Sequence, residues 1–416
     1  MILRLAFNSL VARALTVSMS ILAIALSVAL FLGVEKVRTG AKASFADTIS
    51  GTDLIAGARS GSVQLLLYSV FRIGNATNNL SWESYQDIAN RPEVDWIVPI
   101  SLGDSHRQFR VMGTTTDYFE RYKYRSGQSL ELREGAFFSD LFDTVIGADV
   151  AQTLGYGIGD PIVVSHGLAS FSHHDDQPFR VSGILDKTGT PVDRTVLVSL
   201  RAIEAIHVDW RSGAKIPGQS TPADVVRQMD LQPNAITAAL IGTKSRLQVF
   251  GLQRSINEYP QEPLLAILPG VALQELWQIV GVAETARIAV SGMVVVTALI
   301  GMMATIFSSL NERRREMAIF RAMGARPRVI LGMLVLEATL IAIIGAVLGF
   351  VLLYVALLVS QPLVDRAFGL WLPIDAPSMR EIGVLLSVTV AGAIVSLIPA
   401  LRAYRISLAD GMLVRN

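Results

Sequence analysis

The sequence predicts an α-helical membrane protein with four transmembrane helices and a large, two-lobed α+β domain inserted between the first and second spans. Three observations lead there. Hydrophobic residues make up 51% of the 416 and mean hydropathy is positive, a balance that soluble chains of this length rarely show. The apolar residues gather in four runs near the two ends of the chain, each close to the roughly 20 residues a helix needs to cross the hydrocarbon core. Between the first two runs, residues 38–280 have ordinary globular composition with alternating apolar and polar positions, as strands of a half-buried sheet require.

The first run, Leu15 to Val34, is uncharged and follows Arg4 and Arg13. Residues 15–37 are the expected span, and residues 1–14 the cytoplasmic or interfacial helix before it. Ala41-Lys42-Ala43 resembles a signal-peptidase site, yet the apolar run exceeds the roughly 7–15 residues of a signal core, so retention is expected. The other spans are expected at 284–310, 328–361 and 380–401. Arg313, Arg314, Arg315, Arg321, Arg326 and Arg328 separate the second from the third, and Arg402, Arg405 and Arg415 follow the fourth. The positive-inside rule makes these segments cytoplasmic. The loop 362–379 carries only Asp365, Arg366 and Asp375 as charges and belongs on the opposite side with the large domain. Both termini, including the tail 402–416, are then cytoplasmic, and the lipid bilayer is the first partner.

Two features inside the spans carry further information. Gly345 and Gly349 form a small-xxx-small step that lets helix backbones approach closely, against either a second copy or a neighbour in the same chain. Glu337 is the one acid well inside a span. Such a carboxylate is costly and a functional candidate, but it lies two to three turns from Arg328, and a polar contact near the cytoplasmic interface accounts for it. No span carries a row of charges able to line an ion path.

The globular segment reads as a strand at Asp53–Ala56, a helix from Ser81 to Asn90 with Ser81 as N-cap, and strands at Asp95–Leu102 and Gln108–Gly113. A similar unit recurs at Ala235–Gly242 and Lys244–Glu258, where Leu247, Phe250 and Ile256 are spaced for one helix face. Between them, Val145–Ala151, Gly155, Gly157–Asp160 and Phe179–Leu185 form a glycine-punctuated β module, the expected inserted lobe of about 120–225. Thr188–Asp193 is a turn, leading to a strand at Thr195–Ser199 and a helix at Leu200–Ile206.

Net charge is +1, which provides no argument for nucleic acid as a partner. Cysteine is absent, which excludes disulfides and thiolate metal sites. Four of the five histidines, His166, His173, His174 and His207, fall within about a tenth of the chain. With Asp175 and Asp176 they offer imidazole and carboxylate ligands for zinc or another divalent metal, although no spacing matches a strong zinc signature and a solvated loop is the simpler reading. An enzyme in its own right is not expected: Ser172 beside His173 is the only suggestive nucleophile-base neighbour pair.

The segment 311–327 reads as a surface element able to insert into a groove on a soluble partner, or as arginines that only fix topology. Met317, Phe320, Ala318, Ile319 and Ala322 interleave with Arg321 as a short amphipathic helix at the membrane surface. Gly324 ends it and Pro327 opens the next helix. The run Asn311 to Ile330, NERRREMAIFRAMGARPRVI, resembles the cytoplasmic segment of the FtsX-like permease family, and Pro399-Ala400-Leu401-Arg402-Ala403 is similar to that family's close. The lobe with Gly147, Gly159-Asp160 and Val181–Ile184 is similar to the MacB-type periplasmic core.

That resemblance covers nearly the whole chain. It implies a permease subunit of a MacB/LolCDE-type ABC transporter in a bacterial inner membrane, with Glu316, Met317, Phe320, Arg321, Ala322, Met323, Gly324 and Ala325 meeting the ATPase. It also implies a second permease chain, most simply a homodimer, and a periplasmic or lipoprotein partner. Motion driven by ATP binding would reshape the periplasmic domain to export, extract or handle a substrate. The alternative within the family is an FtsX-type scaffold that holds or activates a periplasmic partner such as a cell-wall hydrolase. MacB carries a fused ATPase, whereas these residues contain no G-x-x-x-x-G-K-[ST] loop: Gly242-Thr243-Lys244-Ser245 lacks the upstream glycine. ATP and magnesium are therefore expected in a separate ABC ATPase, with no cofactor on this chain.

Overall fold

The computed structural model describes residues 13–125, 127–166, 179–211, 214–216, 221–312, 319, 322, 324–368, 374 and 376–405. Two compact units result, one globular, built mainly from Ala41–Val280, and one helical.

The helical unit draws on four long helices: α1 (Ala14–Asp47), α2 (Pro269–Glu312), α3 (Pro327–Phe368) and α4 (Met379–Arg405). Among the described residues, Ala14–Asp47, Pro327–Val364 and Met379–Arg402 are long and apolar enough to cross a membrane, while the apolar part of α2, Gly292–Ser308, is shorter. The helices outrun the apolar stretches that signalled them. α1 continues past 37 to Asp47, α2 begins at Pro269 rather than 284, and α3 passes 361 to Phe368 with Pro362 inside it. Hydropathy marks what lipid can cover, whereas a helix persists wherever its backbone hydrogen bonds remain satisfied.

In the globular unit the principal strands are β1 (Leu54–Ala58), β2 (Val94–His106), β3 (Phe109–Thr114), β4 (Leu132–Gly135), β5 (Asp143–Ile146), β6 (Phe179–Leu185), β7 (Thr195–Ser199), β8 (Ala238–Thr243) and β9 (Leu264–Ile267). They lie in the order β9-β1-β8-β2-β3-β7-β5-β6-β4 within an eleven-stranded sheet of the described residues. Pairing is antiparallel except for β3 with β7 and β5 with β6, which are parallel. The two α+β halves read from the sequence thus share a sheet, and the module set apart as an inserted lobe contributes β4 to β7 to it. The 13-residue β2 makes this continuity, pairing its first half with β8 and its second with β3.

Side chains alternate across a strand, and here the alternation sorts the core. Ile55, Val98, Met112, Val145, Leu197 and Leu240 belong to one cluster that runs the length of the sheet. Their sequence neighbours pack in two separate clusters: Leu54, Ala239 and Ile241 in one, and Val111, Ile146, Val196 and Val198 in the other. The two-lobed character resides in this pair of cores.

Local chemistry sets the connections. Ser81 caps the helix Trp82–Ala89, its hydroxyl accepting from the Ser84 amide at 3.2 Å. The turn before β7 is tied by Asp193, whose carboxylate accepts from the Thr188 amide at 2.8 Å, the Thr188 hydroxyl at 2.7 Å and the Gly189 amide at 2.7 Å. Burial pushes its pKa up against those bonds.

One helix face differs from expectation. Of Leu247, Phe250 and Ile256, only Ile256 is buried; Leu247 and Phe250 are 92% and 68% exposed. A 3-10 turn at Arg246–Gln248 delays the helix to Val249–Asn257, so the buried set becomes Val249, Leu252 and Ile256. The same helix covers the outer edge of β9: Asn257 accepts from the Ala266 amide at 2.6 Å and Gln253 donates to its carbonyl at 3.0 Å, which blocks strand addition there.

Candidate functional site

Polar contacts in the helical unit concentrate at two levels of the bundle. At the first, Arg13, immediately before α1, forms a hydrogen-bonded ion pair with Glu337 of α3. Glu337 is buried, and Arg328, the cation nearest in sequence, is exposed. The acid thus takes a partner from the lead-in to another helix.

At the second level Glu381 joins three helices. Its amide donates to the Ser378 hydroxyl at 3.2 Å, and the Ser378 amide donates to its carboxylate at 3.0 Å. This reciprocal pair is a capping box, which satisfies two of the free donors at the start of α4. The same carboxylate accepts from the Tyr354 hydroxyl of α3 at 3.1 Å and pairs with Lys36 of α1 at 3.1 Å. Beside it, Glu35 accepts from Arg380 at 2.7 Å and Arg38 at 2.9 Å. Sequence reasoning passed over this cluster, though Ser378-Met379-Arg380-Glu381 ahead of an apolar run carries the S-x-x-E signal.

Arg13 and Lys36 are separated by roughly 35 Å of helix at 1.5 Å per residue, close to the roughly 30 Å hydrocarbon thickness. Between those levels packing depends on small residues. A Cβ on Gly349 would stand 2.4 Å from the Ala25 carbonyl oxygen, and one on Gly345 would stand 2.9 Å from the Ile24 side chain. The small-xxx-small face is occupied by α1 of the same chain. α2 meets α1 through Ser20 and Thr305, whose hydroxyls are 3.1 Å apart, and through the Ser27 hydroxyl, which donates to the Val294 carbonyl at 3.5 Å.

Of the expected coupling residues, Glu316, Met317, Phe320, Arg321 and Met323 lie outside the described residues. Ala322 is helical, and Gly324 has φ +94°, the left-handed conformation that ends helices at little cost to glycine. α3 begins at Pro327.

His173, His174, Asp175 and Asp176 also lie outside the described residues. His166 pairs through its backbone with Asp104 of β2. The His207 ring places Nε2 3.9 Å from Asp104, while Nδ1 donates to the Ile203 carbonyl at 2.5 Å. Among the described residues no three potential ligands come together as a metal centre. The fifth histidine, His106, is buried, with Nδ1 2.6 Å from the Val163 carbonyl and Nε2 2.9 Å from the Tyr156 hydroxyl. Nδ1 therefore carries the proton and Nε2 accepts from tyrosine, and burial pushes the imidazole pKa below its ordinary value.

Gly242-Thr243-Lys244-Ser245 continues from the end of an antiparallel strand, where the Thr243 amide and hydroxyl both donate to Asp53 at 2.7 Å. A carboxylate occupies the donors that a phosphate loop would direct at nucleotide.

Two family models match in sequence: the MacB-like periplasmic core domain over residues 17–232 and the FtsX-like permease C-terminal over residues 288–408. The chain belongs to the FtsX/MacB-like ABC transporter permeases. Among relatives of this permease, the macrolide export ATP-binding/permease protein MacB of Nitrobacter winogradskyi is 24% identical over 97% of this chain and 58% of its own length. The pyoverdine export ATP-binding/permease protein PvdT of Pseudomonas syringae pv. tomato is 24% identical over 79% of this chain and 47% of its own. The permease chain thus spans about half the length of the curated relatives it matches. The periplasmic region of MacB from Actinobacillus actinomycetemcomitans aligns with 55% of this chain and 94% of its own at 12% identity and a TM-score of 0.35, too distant a likeness to carry an argument.

Proposed function

We propose that this chain is the permease subunit of a MacB/LolCDE-type ABC transporter, receiving conformational change from ATP hydrolysis on a separate ATPase. The observation that carries this reading is the presence in one chain of a MacB-like periplasmic core and an FtsX-like permease C-terminal region. The 416 residues contain no phosphate loop, so nucleotide hydrolysis is assigned to an ABC ATPase outside them. α2 supplies the fourth span, supported by its polar contacts with α1 at Thr305 and Val294. The arginines of 313–328 and 402–415 face the cytoplasm, and the globular unit faces the periplasm. The segment Glu316–Ala325 meets the ATPase, and the helices pass its movement to the periplasmic unit, where a substrate is exported, extracted or handled.

The test is reconstitution of the permease in nanodiscs with candidate ABC ATPases from the same genome. Copurification and a change in ATP turnover on adding the permease are expected. Phe320→Asp and Met317→Asp should abolish both while leaving the permease folded. An unchanged turnover in lipid, with no complex formed, overturns the reading.

A further inference from the structure

Two clefts in the globular unit share a wall. One, of ≈ 480 Å³, is lined by Asn75, Thr77, Asn78 and Asn79; the other, of ≈ 350 Å³, by Phe45, Phe71 and Arg194; Arg72 and Arg110 line both. The only carboxylate in either lining is Asp149, which is bound to Lys187 at 2.6 Å. Three guanidiniums therefore face this space, and among the described residues none has a carboxylate within salt-bridge distance.

Their partners are neutral. Arg72 donates to the Ser69 carbonyl, to the Val70 carbonyl at 3.3 Å, to the Met112 sulfur at 2.8 Å and to the Tyr118 hydroxyl at 3.4 Å. Its Nε is buried without an acceptor, and its backbone has φ +60°, uncommon for a side chain of this size. Arg110 donates to the Gly74 carbonyl at 2.9 Å, and burial lowers its pKa. Arg194 lies over the Phe109 ring at 5.4 Å. A partly desolvated cation held by neutral acceptors is unfavourable unless an anion joins it, and planar guanidinium donors match tetrahedral oxyanions in geometry and charge.

We propose that Arg72, Arg110 and Arg194 form a binding site for a phosphate group, with the polar body of its ligand lying along Asn75, Thr77, Asn78 and Asn79. Two or more guanidiniums without a competing acid suit a dianion better than a single carboxylate. The phosphate belongs to a lipid headgroup or to a soluble phosphate ester. The site is independent of any coupling to ATP.

The experiment is calorimetric titration of the full chain, in neutral detergent at low salt, with three probes: inorganic phosphate, glycerol 3-phosphate and dihexanoyl phosphatidic acid. Saturable binding is expected, weakening as sodium chloride is added. Arg72→Gln and Arg110→Gln should each weaken it at least about ten-fold, and Arg110→Lys should recover part of the loss. Arg201→Gln, at an exposed position outside both clefts, should bind as wild type. Arg194 is exposed, so Arg194→Gln carries the test if substitution at Arg72 disturbs folding. Tighter binding of phosphatidic acid identifies a lipid headgroup; equal or tighter binding of glycerol 3-phosphate identifies a soluble ester. Absence of saturable binding by all three probes, or wild-type affinity in both Arg110→Gln and Arg194→Gln, overturns the proposal.

Discussion

Arg13, at the foot of α1, and Glu337 on α3, 324 positions apart in sequence, form a hydrogen-bonded ion pair. The pair gives a buried carboxylate of α3 a cationic partner, and it joins the start of the first helix to the third.

Arg13→Met and Glu337→Leu should each destabilise the chain by about 1–3 kcal/mol, because each removes a charged, hydrogen-bonded partner from a part-buried pair. The double variant should cost less than the sum of the singles. Thermal unfolding in detergent of the four proteins of this cycle checks the coupling, and additive losses would exclude a direct interaction.

Ser378→Ala removes one half of the capping box on α4 and should cost about 1 kcal/mol. Faster amide exchange confined to the first turn of α4 is the expected signature. Glu381→Gln should cost more, because Lys36 loses its carboxylate as well.

Gly349→Leu places a side chain where a Cβ would already stand 2.4 Å from a backbone oxygen of α1. α1 and α3 must separate, at about 1–3 kcal/mol. Gly383→Ala, where a Cβ meets nothing within 4 Å, should stabilise α4 by up to about 1 kcal/mol. Comparison of the two melting temperatures separates close packing from helix propensity.

His106 imposes a pH dependence of definite sign. Burial and the Arg107 charge hold its folded pKa below the ordinary 6.5, so the unfolded chain takes up the proton first as pH falls. The stability it contributes is complete above about 6.5 and is lost as pH falls from there through the lowered folded value. Unfolding midpoints measured from pH 8 to pH 5 should fall for wild type and flatten for His106→Gln.

Much of the globular unit is legible because local signals there are strong. Ser81 announces a capped helix, Thr195–Ser199 is a strand as read, and Thr188–Asp193 is a turn closed by its own aspartate. The helix carrying Phe250 was misphased because a short 3-10 turn shifts the face without altering the apolar spacing. The cluster at Glu381 had a local signal only for Ser378; nothing near Glu381 in the chain points to Lys36 or Tyr354. Arg72, Arg110 and Arg194 come from separate stretches, and a sequence window samples only neighbours along the chain.

The sequence by itself determined three helices long and apolar enough for lipid, the helix start at Pro327 after Gly324, and which family the chain resembles, since these depend on residues adjacent in the chain. Tertiary structure alone decided that Glu337 pairs with Arg13 rather than Arg328, that Gly345 and Gly349 face α1, and that three arginines line adjoining clefts with no carboxylate among the described residues in salt-bridge reach. Each of those outcomes depends on which side chain reaches a charge or a close-packed backbone first once distant helices and strands are brought together, and separation along the chain does not set that distance.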